Sequence, residues 1–199
     1  MQPLIAQLSV PQVCFLATLL IWRVMEVRVD IMTRKRLRAG AQRQDGGSLV
    51  VLYVLLIGGI LFCTLLAFEV SATTIMSAPI VFFWLGIVLM NTGIVLRFYA
   101  IRVLGAFFTT TVAVAPNQRV IESGPYRFIR HPSYSGLLIT LMGYGLCMTN
   151  WLSLLVLLGC ALMGLSYRIH VEEHVLQVQL GEPYQDYMRR TKRLIPFVF

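Results

Sequence analysis

The sequence has 199 residues, of which 57% are hydrophobic and only 13% charged, where a soluble domain carries about 25% charged residues. With a mean hydropathy of +0.74, this excludes an ordinary soluble enzyme and leaves an integral membrane protein with room for a single bundle. The net charge of +8 does not point to nucleic acid, because the basic residues flank apolar runs and form no long solvated tract.

The N-terminus, Met1-Gln2-Pro3-Leu4, lacks a basic n-region, so no cleavable signal peptide is expected and the first span is expected to stay in place. A bilayer-spanning helix needs roughly 20 mostly apolar residues, and five runs reach or approach that length. The first extends from Leu8 to Val29, interrupted by Arg23 and Glu26. The second covers Leu49 to Phe68 and the third Pro79 to Val103. The fourth and fifth, Ser133 to Met148 and Leu152 to Ser166, are shorter. Thr149-Asn150-Trp151 joins them as the tip of a tight helical hairpin, where Trp151 suits an interface.

Basic residues set the expected topology. Arg34, Lys35, Arg36, Arg38 and Arg43 follow the first run, none lies between Glu69 and Ala78, Arg97 and Arg102 end the third, and Arg189, Arg190, Lys192 and Arg193 lie in the tail. Five spans place all these clusters on one side, giving an N-terminus outside and a cytoplasmic C-terminus. The fold class expected is therefore an all-α integral membrane protein of five transmembrane helices, the last two a hairpin, with a polar cytoplasmic segment after the third span and a C-terminal helix. Residues 1–199 read as one membrane domain, with N-terminal spans in 1–96 and the polar region in 97–199.

The polar chemistry lies mainly between Leu104 and Ser135 and beyond Tyr167. Gly105 to Val114 and Gln118 to Ile121 are candidate extended elements, which a two-stranded cover over a ligand would use. Gly124-Pro125 then punctuates the chain. After it, Arg127, Arg130, His131, Tyr126 and Tyr134 gather where the chain enters an apolar run. Pro132 marks the expected start of a helix. Ser133 and Ser135 are expected to satisfy amides of its first turn, next to an anion-favouring N-terminus. Arg168 and Glu172 are four apart and share a helix face, while Glu173 points about 100° away. They make either a surface ion pair or a ligand-binding carboxylate and guanidinium at the membrane edge. Asn91, between Gly86 and Gly93, reads as helix packing. His170 and His174 have no third ligand in view, so no metal is expected. Cys14, Cys63, Cys147 and Cys160 sit in apolar runs and read as buried small hydrophobes. Nucleotide-binding glycine fingerprints and nucleophile elbows are absent from the sequence.

Ser123-Gly124-Pro125-Tyr126, Arg130-His131-Pro132-Ser133-Tyr134-Ser135-Gly136, Glu172-Glu173, Gly181-Glu182-Pro183-Tyr184 with Tyr187, and the closing Leu194-Ile195-Pro196-Phe197 together resemble the isoprenylcysteine carboxyl methyltransferases and their prokaryotic relatives. The resemblance covers roughly Arg97 to Phe199. It implies a membrane methyltransferase using S-adenosylmethionine, with S-adenosylhomocysteine as product, on a helical fold unrelated to soluble methyltransferases. Carried over residue by residue, it implies cofactor contacts at Tyr126, His131, Pro132, Ser133, Tyr134 and Glu172. Gln118, Arg119, Val120 and Ile121 stand where relatives also line the cofactor, with different residue types. Arg168 stands where relatives place a substrate-orienting arginine, the implied catalytic residue. The partners implied are the lipid bilayer and an apolar or lipidated methyl acceptor arriving from it, with no obligate protein partner and, for a prokaryote, a place in the cell membrane. Eukaryotic members carry additional membrane helices, so a prenylated protein C-terminus is not assumed as acceptor. Three other readings stay open: methylation of a phospholipid amine, with Glu173 or His170 as base; an NADPH-dependent sterol-type reductase, which shares an Arg-His-x-x-Tyr-x-Gly tail; and a non-catalytic membrane scaffold.

Overall fold

The computed structural model describes residues 9–38, 42–43, 45–111, 113–114 and 118–195. In chain order the elements are α1 (Ser9–Arg38), β1 (Gln42–Arg43), α2 (Ser48–Glu69), α3 (Pro79–Leu104), β2 (Ala113–Val114), α4 (Pro132–Cys147), α5 (Trp151–Leu180) and α6 (Glu182–Arg190). Their boundaries follow local chemistry. Gly46 and Gly47 turn the chain with φ of 50° and 81° just before α2. Pro79 opens α3 and Pro132 opens α4, where a missing N–H costs nothing. Asn150 caps α5 by accepting from the Ser153 amide at 3.0 Å. It also ties the α4–α5 turn to the α2–α3 connection, through Val70 O at 2.9 Å and the Thr73 hydroxyl at 2.9 Å.

Among the described residues, four helices are long and apolar enough to cross a membrane: Val10–Lys35, Ser48–Glu69, Pro79–Phe107 and Trp151–Leu180. Val54, Leu61 and Val95 are among the many large apolar side chains exposed on their outer faces, an arrangement suited to hydrocarbon surroundings. Five runs are expected from the sequence, and the fourth forms α4, whose 16 residues leave it shorter than the other four. The fifth run continues as helix to Leu180, well past Ser166. It does so because the charged residues that end the apolar run, Arg168 and Glu173, are buried and paired inside the fold.

α3 packs on α4, α2 on α5 and α4 on α5, with α1 against α3. The α3–α4 seam is backbone against backbone. A Cβ built on Gly136 would lie 2.7 Å from both the Arg97 amide nitrogen and Gly93 O, and one on Gly86 would lie 2.6 Å from Gly143 O. Small residues at this spacing let two helices approach without a hydrophobic driving force. Phe83, Met90, Leu141, Leu157 and Leu165 fill the core beside the seam. Asn91 serves packing, donating to Thr18 Oγ1 at 3.3 Å and Ile87 O at 2.8 Å. Cys63 and Cys147 are buried within the core, and all four cysteines are free thiols.

The strand pairing differs from the expected cover. Ala113 and Val114 pair antiparallel with Arg43 and Gln42, not with Gln118 to Ile121, which are irregular. The partner comes from the connection between α1 and α2, and no local pattern in either two-residue strand announces it.

Gly136→Val is expected to destabilise the fold by about 1–3 kcal/mol or more, the usual range for overpacking, because rigid backbone receives the new methyls. Gly58→Ala, whose Cβ meets nothing within 4 Å, serves as the control and should hold or raise the melting temperature. Thermal unfolding in detergent checks both; equal melting temperatures for wild type and Gly136→Val would contradict the seam.

Candidate functional site

The site is assembled around the turn that leads into α4. A 3₁₀ turn at Gly124–Arg127 buries Tyr126. The chain then runs beside the C-terminal segment: the Arg130 amide donates to Lys192 O at 2.7 Å and the His131 amide to Arg193 O at 3.0 Å. Ser133 and Ser135 do not cap the helix as expected. Ser133 Oγ accepts from Arg97 Nη1 at 2.7 Å, and Ser135 Oγ donates to Leu194 O at 2.6 Å. Long-range partners have taken the hydroxyls that a local reading assigns to the first turn.

Glu173, on α5, holds this assembly together. Its side chain is 3% exposed; it receives Arg130 Nε at 2.7 Å and Arg193 Nη2 at 3.0 Å, with His131 Nε2 at 3.3 Å. Arg130 also donates to Met188 O and Thr191 O, which docks the end of α6. Tyr187 on α6 donates to Tyr126 O at 2.7 Å. Burial pushes the Tyr187 and Tyr184 phenols up from their ordinary value, and burial, then the Glu172 carboxylate, does the same to Tyr126. All three remain neutral donors across the working pH range. From sequence alone Glu173 reads as a candidate base; its partners lie 43, 42 and 20 residues away, so no spacing rule reveals them.

Glu172 points the other way, into a cleft between the turn before α4, the end of α3 and the C-terminal half of α5. Tyr134 donates to Glu172 Oε2 at 2.6 Å, and its ring stacks on His131 at 5.5 Å and 15°. Gln118, Arg119, Val120, Ile121, Tyr126, His131, Ser133, Tyr134 and Glu172 all line this one cleft. Pro132 is buried at the start of α4 and is not among its lining residues. The Thr111 hydroxyl, buried on the wall, has no hydrogen-bond partner among the described residues.

A second cavity of about 540 Å³ lies between α1, α2, α3 and α4. Most of its wall is aliphatic, including Leu52, Leu56, Ile57 and Leu141. Phe108, Thr109 and Tyr134 line both cavities and form the boundary between them. Arg97 crosses that boundary: Nη1 reaches Ser133, while Nε and Nη2 grip Glu26 at 2.6 and 2.9 Å.

Arg168 lies behind the boundary and lines neither cavity. It is 1% exposed and donates to Ser48 Oγ at 2.6 Å, Thr110 O at 2.7 Å and the Tyr134 hydroxyl at 3.3 Å. The expected substrate-facing guanidinium is therefore enclosed by protein acceptors, and its direct contact with the site is Tyr134. The expected Arg168–Glu172 face persists only through that shared phenol.

Residues 84–178 match the model of the isoprenylcysteine carboxyl methyltransferase family. Over that segment the chain is similar to this family. It is 32% identical over 115 residues to protein-S-isoprenylcysteine O-methyltransferase B of Arabidopsis thaliana, covering 57% of this chain and 58% of that protein. Over 96 residues it is 30% identical to YpbQ of Bacillus subtilis (strain 168), covering 47% and 56%. Over 108 residues it is 31% identical to protein-S-isoprenylcysteine O-methyltransferase of Schizosaccharomyces pombe, covering 53% and 46%. The chain thus spans about half the length of these relatives. Arg97, Tyr126, His131, Tyr134, Arg168, Glu172 and Glu173 all fall within the matched segment, whereas Glu26, Ser48 and α6 fall outside it.

The adjacent glutamates are expected to separate on substitution. Glu173→Gln removes the charge that compensates buried Arg130, and should cost about 3 kcal/mol or more. Glu172→Gln should stay within about 1 kcal/mol of wild type. Chemical denaturation in detergent checks the pair, and equal losses would contradict the separate assignments.

Proposed function

We propose that the chain is an integral membrane, S-adenosylmethionine-dependent methyltransferase that esterifies a carboxylate on a lipid-like, isoprenylcysteine-like acceptor. The observation that carries this reading is the meeting of a polar cleft and an aliphatic cavity at Tyr134, Phe108 and Thr109. A polar donor and an apolar acceptor can meet there without either entering the other's environment.

The residues present fit the donor. Glu172 suits an ammonium group, His131 and Arg119 suit a carboxylate, and the Tyr126 and Tyr134 rings suit an adenine face or a sulfonium. The Thr111 hydroxyl, which has no partner among the described residues, leaves one further polar contact for a ligand. When bound, the cofactor supplies a methyl group on sulfur: a C–O bond to the acceptor forms as the C–S bond breaks, and the electron pair stays on sulfur. The acceptor carboxylate is already ionised near pH 7, so the site needs no general base. Tyr134 orients the acceptor at the boundary, and Phe108 helps exclude water there. Arg168 fixes the Tyr134 hydroxyl and the Thr110 carbonyl, and so acts on turnover through position.

In this reading the catalytic region is 97–199, α4 and α5 cross as a hairpin to give five spans, and the basic clusters face the cytoplasm with the N-terminus outside. The acceptor enters the aliphatic cavity from the bilayer.

Calorimetry on the detergent-purified protein tests the class. S-adenosylmethionine should bind in the micromolar range, Glu172→Ala should weaken it about 10-fold or more (about 1.4 kcal/mol), and NADPH should not bind. Binding of NADPH in place of S-adenosylmethionine would overturn the proposal. Arg168→Lys should keep donor affinity within about 3-fold, a difference well under 1.4 kcal/mol. It should lower kcat, because an ammonium cannot hold the three divergent acceptors; equal loss of donor affinity would refute the positioning role.

A further inference from the structure

The aliphatic cavity beside the donor cleft has a polar end that carries both signs of charge. α1 contributes Arg23, Glu26 and Asp30, and α3 contributes Arg97. Glu26 is held by Arg97 through two hydrogen bonds and by the Trp22 indole at 3.2 Å. Asp30 lies one turn further along α1, where the Thr110 hydroxyl bonds it and Arg34 is a nearby cation on the same helix. An acceptor that brought only a carboxylate to this end would meet Asp30 and Glu26 as well as Arg97 and Arg23. An acceptor head that brings an ammonium together with its carboxylate complements both signs. Charges held away from water need such pairing.

We propose that this cavity takes a lipidated amino acid whose α-ammonium is free, and that Asp30, with Glu26, selects it. The inference rests on the carboxyl methylation proposed above and adds the head group of the acceptor. The hydrocarbon lies along Leu52, Leu56 and Leu141, the ammonium meets the α1 carboxylates, and the carboxylate faces Arg97 and the boundary at Tyr134. A lipidated peptide or protein C-terminus presents an uncharged amide in place of the ammonium and leaves Asp30 without that counter-charge. The selecting residues lie on α1, before the segment that matches the family. They are a property of this chain's own N-terminal helix.

The test compares S-farnesylcysteine with N-acetyl-S-farnesylcysteine, which differ in charge only at the α-nitrogen. Calorimetric affinity and transfer of labelled methyl are both measured on the full chain in detergent with S-adenosylmethionine. The free amine should bind at least about 10-fold tighter (about 1.4 kcal/mol). Asp30→Asn should remove most of that preference by weakening the free amine, while S-adenosylmethionine affinity confirms the fold. Equal affinities in wild type, preference for the acetylated compound, or equal weakening of both by Asp30→Asn would overturn the inference. Selective binding without methyl transfer upholds the head-group site and overturns carboxyl methylation. Transfer without selectivity overturns the head-group site and upholds methylation, and binding of neither compound overturns both.

Discussion

A single buried carboxylate organises the polar half of this molecule. Glu173 carries a negative charge in a place where water does not reach, and such a charge persists only when paired. It recruits Arg130 and His131 from the turn before α4, and Arg193 from the C-terminal segment. Those contacts bring two distant stretches of chain onto one face of α5. Its neighbour Glu172 is rotated about 100° around the helix and is left facing the cleft, bonded to Tyr134. One glutamate builds the site and the next is available to a ligand.

The second constraint is the close approach of α3 and α4. With glycines at the seam, Arg97 on α3 comes within reach of Ser133 on α4, and the same guanidinium grips Glu26 on α1. The boundary between the polar cleft and the aliphatic cavity is therefore rigid on one side through Arg97. On the other side Arg168 anchors Tyr134, Ser48 and Thr110. A boundary built from packed side chains and divergent guanidiniums suits a reaction whose two partners prefer opposite solvents, because positioning does most of the work.

The helices were legible in the sequence because apolar length and turn chemistry are local signals. α2 and α3 begin and end within a residue or so of the runs read from Leu49 to Phe68 and Pro79 to Val103. The cleft residues were legible as a group because Tyr126, His131, Ser133 and Tyr134 are close in sequence, and Glu172 follows on the next long helix. The parts that were not legible depend on distant partners. The α5 helix continues past Ser166 because Arg168 and Glu173 find buried partners, a fact that composition cannot supply. Arg23 and Glu26 read only as interruptions of the first run. Glu26 is in fact one half of an ion pair with Arg97, 71 residues away. Arg168 reads as facing the acceptor, yet Ser48 at the start of α2 and Thr110 in the loop after α3 occupy it, and neither carries a motif. The pairing of β2 with β1 is of the same kind.

The most direct measurement is a crystal structure of the full chain with S-adenosylhomocysteine. The account predicts ligand density in the cleft bounded by Tyr126, Tyr134 and Glu172, with the ligand's ammonium on the Glu172 carboxylate and its sulfur turned toward the Tyr134 boundary. Ligand density in any other place, or a lipid chain filling that cleft with S-adenosylhomocysteine in excess, would contradict it.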